Sequence, residues 1–350
     1  VYIIHGLSGV HLIDMNIETH FSLKALNSFG IAAHAAWFAR FSSQEELQSL
    51  LEGMPVSGTG PLILGGGSNM LLTSDPDMVL MNEVKGIEVV DEDADYYYVR
   101  AGAGEEWHAF VQYCIAREWA GLENLSLIPG RVGAAPMQNI GAYGAELKDV
   151  FHSLEAFHFV DKMMVTFSAN DCAFGYRESV FKNKFKGQFA IMRVTFKLRK
   201  VPKFNISYGA IAQELETMGV SALSIQSVSE AVIRIRTSKL PDPKVIGNAG
   251  SFFKNPEIAE AVYLQLKERF PGMVAHPVKG GFKLAAGWLI EQCGWKGYRD
   301  GDAGVHVKQA LVLVNYGKAT GGEIYRLSER IYQSVLERFG VSLEREVNII

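Results

Sequence analysis

Five places in the 350-residue chain combine residue types that could do chemistry. Gly65, Gly66 and Gly67 follow the apolar run PLIL and precede Ser68 and Asn69. Glycines at such a turn permit positive φ and let backbone N–H groups approach a phosphate. The triplet is neither a GxGxxG fingerprint nor a Walker A loop, since position 70 is Met and no Gly-Lys-Ser/Thr follows. A phosphate cradle and a plain tight turn both fit it. The second place is IPGRVGAAPMQNIGAYGAEL, residues 128–147. Gly130, Gly133, Gly141 and Gly144 keep its backbone exposed, and Ala134, Ala135 and Ala142 keep side chains small. Gln138 and Asn139 offer donors and acceptors, as an isoalloxazine or adenine edge would require. A site for a large ligand and a closely packed crossover both fit this stretch.

The third place is FGYRES, residues 174–179, where the guanidinium fork of Arg177 could clamp a carboxylate. A surface salt bridge to Glu178 is the plainer reading. The fourth is NAGSFFKNP, with Ser251 between a glycine and two aromatics. No GxSxG elbow accompanies it, so local grounds favour a structural serine over a hydrolase nucleophile. Near the end, Glu344 and Glu346 alternate in a short strand and share a face, with Arg345 on the other. A solvated edge and an acid or electrostatic partner are the two readings. The nine histidines form no HExxH and no compact cluster with cysteine, so no metal is expected.

The elements that must position these residues change character along the chain. A helix is expected over 42–53, capped by Ser42 or Ser43 and with Glu45 and Glu46 at the positive end of its dipole. Between 86 and 200 the pattern is mainly short strands such as IEVV, YYYVRAG and AIMRVTFKLRK, interrupted by one helical stretch, EEWHAFVQYCIAREW. Beyond 200 the helical period dominates: 209–219, 258–270, 281–294 and 323–340 are amphipathic candidates, and ALVLVNY reads as a strand. The pattern is α+β, with no repeated βαβ array.

Composition narrows the function classes. A hydrophobic fraction of 48% and a charged fraction of 21% describe an ordered globular protein. With 34 basic against 38 acidic residues the net charge is −4, which argues against affinity built on neutralising nucleic-acid phosphates. Cys114, Cys172 and Cys293 are far apart and form no CxxC pair, so buried free thiols in a reducing compartment are expected. No apolar run reaches the span of about 18 residues that a membrane helix needs, and the opening VYIIHGLSGVHLI lacks a basic leader. A cytoplasmic monomer without membrane insertion is the expectation.

Taken together, GGGSN, GLENLSLIPGRVGAAPMQNIGAYGAEL, FGYRES, LPDPKVIGNAGSFFKNP, KLAAGWLIEQCG and LEREV occur in an order that resembles the UDP-N-acetylenolpyruvoylglucosamine reductase (MurB) family of bacterial peptidoglycan synthesis. The resemblance runs from about residue 22 to the end. It implies a FAD-binding fold of the vanillyl-alcohol-oxidase type in two subdomains, 1–85 (joined by 341–350) and 86–240, with a third, substrate-binding domain over 241–340. Residues 65–69 and the stretch 129–144 would hold non-covalently bound FAD. KFNISYG resembles the subclass whose tyrosine loop covers the substrate, which puts that residue at Tyr208. Arg177 would bind and polarise the enolpyruvyl carboxylate, Ser251 would donate the proton and Glu346 would stabilise the developing enol. Lys239, Asn255 and Gln309 would contact the substrate. The implied reaction uses NADPH to reduce FAD. Hydride then passes to the enolpyruvyl methylene carbon of the UDP-linked amino sugar, giving UDP-N-acetylmuramate. The chain departs from the family pattern at Arg345, where Pro is usual, at Asn348, where Arg is usual, and at Gly66, where a relative can carry Glu. Another FAD oxidoreductase acting on a small alcohol or hydroxy acid, or a non-catalytic flavin-binding protein, is the alternative.

Overall fold

The computed structural model describes residues 16–53 and 60–350; the opening VYIIHGLSGVHLI lies outside them. The chain gathers into two compact units, and both are discontinuous in sequence. Among the described residues, one comprises 16–21, 34–53, 60–66 and 76–238; the other comprises 22–33, 67–75 and 239–350.

In the first unit a small sheet places Met78–Asn82 between His34–Phe41 and Leu62–Leu64, parallel to both. The helix Gln44–Gly53 buries Leu47 and Leu50. Its start is fixed reciprocally: Glu46 N donates to Ser43 Oγ at 3.1 Å and Ser42 N donates to the Glu46 carboxylate at 2.6 Å. Of the two expected caps, Ser43 therefore serves the helix. A second sheet is antiparallel and runs in the order Met163–Ser168, Phe151–His158, Phe189–Arg199, Tyr96–Gly102, Ile87–Glu92. The helix Trp107–Ile115 packs on it, with Phe110 and Phe196 rings 4.8 Å apart and Trp107 within the same buried cluster. Each such aromatic contributes about 2–3 kcal/mol of burial. A separate small core forms where Ile211 and Leu215 meet Ala231, Val232 and Ile235 from the helix Ile225–Lys239, with Tyr143 against it. Cys114 and Cys172 are buried, and burial pushes the Cys172 thiol up to about 12, which suits an inert thiol.

The second unit holds a four-stranded antiparallel sheet in the order Gly247–Asn248, Leu313–Asn315, Ala303–Val305, Arg299–Asp300. A three-stranded sheet places Gly281–Leu284 between Glu257–Ala259 and Ala275–Val278. The helix expected over 281–294 therefore divides into a strand and the helix Ala286–Gln292. The helix expected over 258–270 likewise loses its start to a strand and begins at Glu260. At Gly281 an added Cβ would lie 2.1 Å from Ile258 O, so strand pairing there demands glycine. The longest helix, Gly321–Phe339, opens on a capping box of Thr320 and Glu323 and ends at Gly340, φ 67°. No helix among the described residues is long and apolar enough to cross a membrane, and no cluster of acidic, His and Cys side chains among them could hold a metal ion.

Candidate active site

In the first unit the site is organised by a β-hairpin pairing Gly141–Ala142 with Ala145–Glu146. Its two turn residues, Tyr143 and Gly144, both have positive φ, 49° and 80°. This is the geometry of a two-residue turn matched to strand twist, and a tyrosine in it is strained. Arg177 also sits at positive φ, 56°, in a tight turn closed by Gly175 and Glu178. Its Nη2 donates to Gly141 O at 2.6 Å, which fixes the plane of the guanidinium. An added Cβ on Gly141 would lie 2.8 Å from Arg177 Nη1, so the glycine gives the arginine its room. Asn139, fully buried at φ 46°, ties hairpin and turn together. Its amide donates to Gly175 O at 2.9 Å and Glu146 Oε2 at 3.1 Å and accepts from Lys148 N at 3.0 Å. Tyr208 meets Tyr143 edge-on, with ring centroids 5.4 Å apart. The structure thus brings Asn139, Gly141, Tyr143, Arg177 and Tyr208 into one neighbourhood, with Ala142 and Gly144 in the same hairpin.

The glycine turns also meet. An added Cβ on Gly66 would lie 2.8 Å from Gly130 Cα, so this contact admits backbone only. Gly65 faces Arg131 and Ala134 more loosely, at 3.7 and 3.8 Å. Beyond Pro129, the segment 130–133 is stitched to 103–107: Trp107 N donates to Gly130 O and Gly133 N to Ala103 O. A Cβ on Gly133 would fall 2.5 Å from that of Ala103, so Gly133 serves close packing. The triplet straddles the division of the chain, and Gly67, Ser68 and Asn69 belong to the second unit. Gly67 (φ 58°) packs on Leu26, where an added Cβ would lie 2.0 Å from the carbonyl oxygen.

In the second unit Ser251 and Glu346 lie on neighbouring segments. Glu346 N donates to Phe252 O at 2.8 Å, Lys254 N donates to Glu344 O at 2.8 Å, and Phe253 bridges Arg345 antiparallel. Phe252 N in turn donates to Leu311 O, so the segment after Ser251 is held on both sides. The two glutamates differ: Glu344 is exposed and pairs with Lys254, whereas Glu346 is half-buried. Asn69 donates to Glu346 O at 3.3 Å. Asn255 Oδ1 accepts from Ala286 N at 3.0 Å, and Gln309 Oε1 lies 3.1 Å from where a Cβ on Gly287 would be. Asn255 and Gln309 thus converge on one helical turn. Lys239 ends the helix Ile225–Lys239 and is exposed.

Comparison with known proteins decides the family. Residues 242–350 match the family model "UDP-N-acetylenolpyruvoylglucosamine reductase, C-terminal domain", and 35–163 match "FAD binding domain". A UDP-N-acetylenolpyruvoylglucosamine reductase of Pseudomonas savastanoi pv. phaseolicola is 50% identical over 96% of this chain and 99% of its own. The chain belongs to the UDP-N-acetylenolpyruvoylglucosamine reductase family. A reductase of the same name from Amoebophilus asiaticus is 49% identical over 96% of this chain and 100% of its own. The crystal structure of the Thermus caldophilus reductase superposes with a TM-score of 0.66 at 26% identity, covering 96% of this chain and 99% of that one. The expected fold class stands: α+β, with a FAD-binding domain of the vanillyl-alcohol-oxidase type and a separate C-terminal domain of the MurB family.

Within the first unit, the side-chain-free contact of the Gly66 and Gly130 turns fits the family's cofactor, since a diphosphate is held best by backbone N–H groups that it can approach closely. The departures from the family pattern are accommodated in the second unit. Arg345 Nε donates to Ser328 Oγ at 3.0 Å and its guanidinium pairs with Glu329, so the residue standing where Pro is usual is tied to the long helix. Asn348 Nδ2 donates to Asn69 O at 2.9 Å, reinforcing the parallel pairing of Asn348–Ile349 with Met70–Leu71. Sequence reasoning missed Arg236 and Asn124. Arg236 donates to Leu127 O at 3.2 Å; burial lowers its guanidinium below the ordinary value, the Tyr143 phenol opposes that shift and Arg177 adds to it. Burial in turn raises the Tyr143 phenol, with Arg236 opposing. Arg236 stands two residues after Arg234, a spacing that puts the two on different faces of the helix, so neither Arg236 nor Asn124 carried a signal in the sequence.

Proposed function

We propose that this chain reduces the enolpyruvyl ether of UDP-N-acetylglucosamine to UDP-N-acetylmuramate, with FAD as bound cofactor and NADPH as electron donor, in peptidoglycan precursor synthesis. The observation that carries this is end-to-end identity of one half to proteins of that name. Bound FAD, reduced by NADPH, supplies the hydride for the enolpyruvyl methylene carbon. The turns at 65–69 and 129–144 would hold it, Gly65, Gly66 and Gly130 through backbone. The chain's own residues do the rest. Arg177, its plane set by Gly141 O, grips the substrate carboxylate and draws charge toward it as the carbon beside it gains electron density. Ser251 donates its hydroxyl proton to that carbon and recovers a proton from solvent. Glu346, on the segment paired with the residue after Ser251, stabilises the developing enol. The serine acts as an acid, so it requires no histidine relay.

We infer that Lys239, Asn255 and Gln309 contact the substrate and that Tyr208 covers it, as the resemblance to the tyrosine-loop subclass implies. The meeting of Tyr208 with Tyr143, whose hairpin carries the Arg177 anchor, supports that assignment. The FAD-binding part divides at about residue 85, and 241–340 forms the substrate domain. The enzyme works as a monomer. Mass spectrometry of the sugar nucleotide after turnover tests the function: the product should carry two more hydrogens than the substrate, and unaltered substrate with oxidised NADPH would overturn it.

A further inference from the structure

Tyr143 occupies a backbone region that disfavours side chains with a Cβ, and such strain persists only where the surroundings hold it. Two asparagines do so. Asn124, 3% exposed, donates from Nδ2 to Tyr143 O at 3.0 Å and to Asn205 O at 2.8 Å. Asn205 donates from its own Nδ2 to Gly144 O at 2.9 Å, and its Oδ1 accepts from Ser207 Oγ at 2.8 Å. Both carbonyls of the turn are thus gripped: that of Gly144 by Asn205, from the segment that leads into Tyr208, and that of Tyr143 by Asn124, which also holds the Asn205 carbonyl. A buried amide with its donors on two carbonyls is specific, since a carboxylate of the same shape would place oxygen against oxygen.

We propose that Asn124 and Asn205 together are positioning residues for the substrate half-reaction. Asn124 through two backbone carbonyls and Asn205 through its own amide clamp the 203–208 segment to the 141–146 hairpin, so that Tyr208 is held against the hairpin that carries the Gly141 carbonyl. This rests on the reading of Tyr208 as the substrate-covering tyrosine. It adds two residues that contact neither substrate nor cofactor and work through Tyr208.

The test compares Asn124→Asp, Asn205→Ala and Tyr208→Ala holoenzymes, and Asn205→Ala combined with Tyr208→Ala. Each is measured for reduction of its flavin by NADPH and for kcat and KM with the enolpyruvyl sugar nucleotide. Asn124→Asp and Asn205→Ala should each raise the substrate KM by about tenfold, the scale of one lost buried hydrogen bond. Flavin reduction should stay within about twofold of the parent, because the clamp serves the sugar half-reaction. In the Tyr208→Ala background, Asn205→Ala should raise KM no further, an outcome that general destabilisation would not produce. Asn205→Ala keeps the test decisive if Asn124→Asp fails to fold. An unchanged KM in Asn205→Ala, or an equal rise with and without Tyr208, would overturn the clamp while leaving the tyrosine assignment intact. An unchanged KM in Tyr208→Ala would instead remove the tyrosine assignment, and the clamp with it.

Discussion

Removing the hydroxyl of Ser251 while keeping its backbone separates proton donation from the packing that Phe252 and Phe253 provide. Ser251→Ala should still bind FAD and accept electrons from NADPH, but product formation should fall by about 100- to 10,000-fold, the usual worth of a positioned acid. Single-turnover product analysis checks this, and undiminished product would remove Ser251 from the role. Arg177→Lys tests geometry at constant charge. An ammonium cannot hold the Gly141 carbonyl and a carboxylate in one plane, so kcat/KM should fall by about 100-fold in steady-state assays. Glu123, beside the clamp residue, gives a pH prediction. Burial raises its carboxyl above the ordinary value, while backbone N–H groups of Glu123, Gly121 and Leu122 oppose the rise. A raised folded pKa contributes stability that is full below the unfolded value and is lost as pH rises through the folded one. The melting temperature of Glu123→Gln relative to the parent should therefore improve between about pH 4 and about pH 8. The opposite trend would show that the carboxylate is stabilised where it lies.

At the scale of elements, the Gly66 turn is the sharpest test of the cradle. Gly66→Ala would place a methyl 2.8 Å from Gly130 Cα and should cost about 1–3 kcal/mol with partial loss of flavin. Thermal melts and the flavin-to-protein absorbance ratio read the two effects. Elements whose signals are local were legible in the sequence: the helix at 44–53 has its serine cap and acidic first turn, and the helix at 321–339 has its capping box and terminal glycine. Failure came where pairing overrode periodicity. Residues 281–284 fit a helical period, yet they pair on both edges with segments the sequence does not mark as partners. The clamp was hidden for a related reason. Asn124 reaches acceptors 19 and 81 residues away, and no spacing rule connects them. Tyr143 offered no warning either, since turns with two positive-φ residues normally advertise themselves with Asn-Gly or Asp-Gly.

For the molecule as a whole, no single glycine or serine in the sequence exceeded its plain structural reading, and the order of six motifs carried the function. The structure gives part of the physical content of that order. In one unit the hairpin and the Arg177 turn lock together through Asn139; in the other, the final segment is laid beside the residues that follow Ser251. The central claim is that one bound flavin passes electrons from NADPH to the enolpyruvyl sugar nucleotide. Anaerobic stopped-flow absorbance tests it most directly: the purified protein is reduced with NADPH, then mixed with UDP-N-acetylglucosamine enolpyruvyl ether. Rapid return of the oxidised flavin spectrum with formation of the lactyl ether is the expected result. Flavin that NADPH reduces and the sugar nucleotide leaves reduced would contradict it.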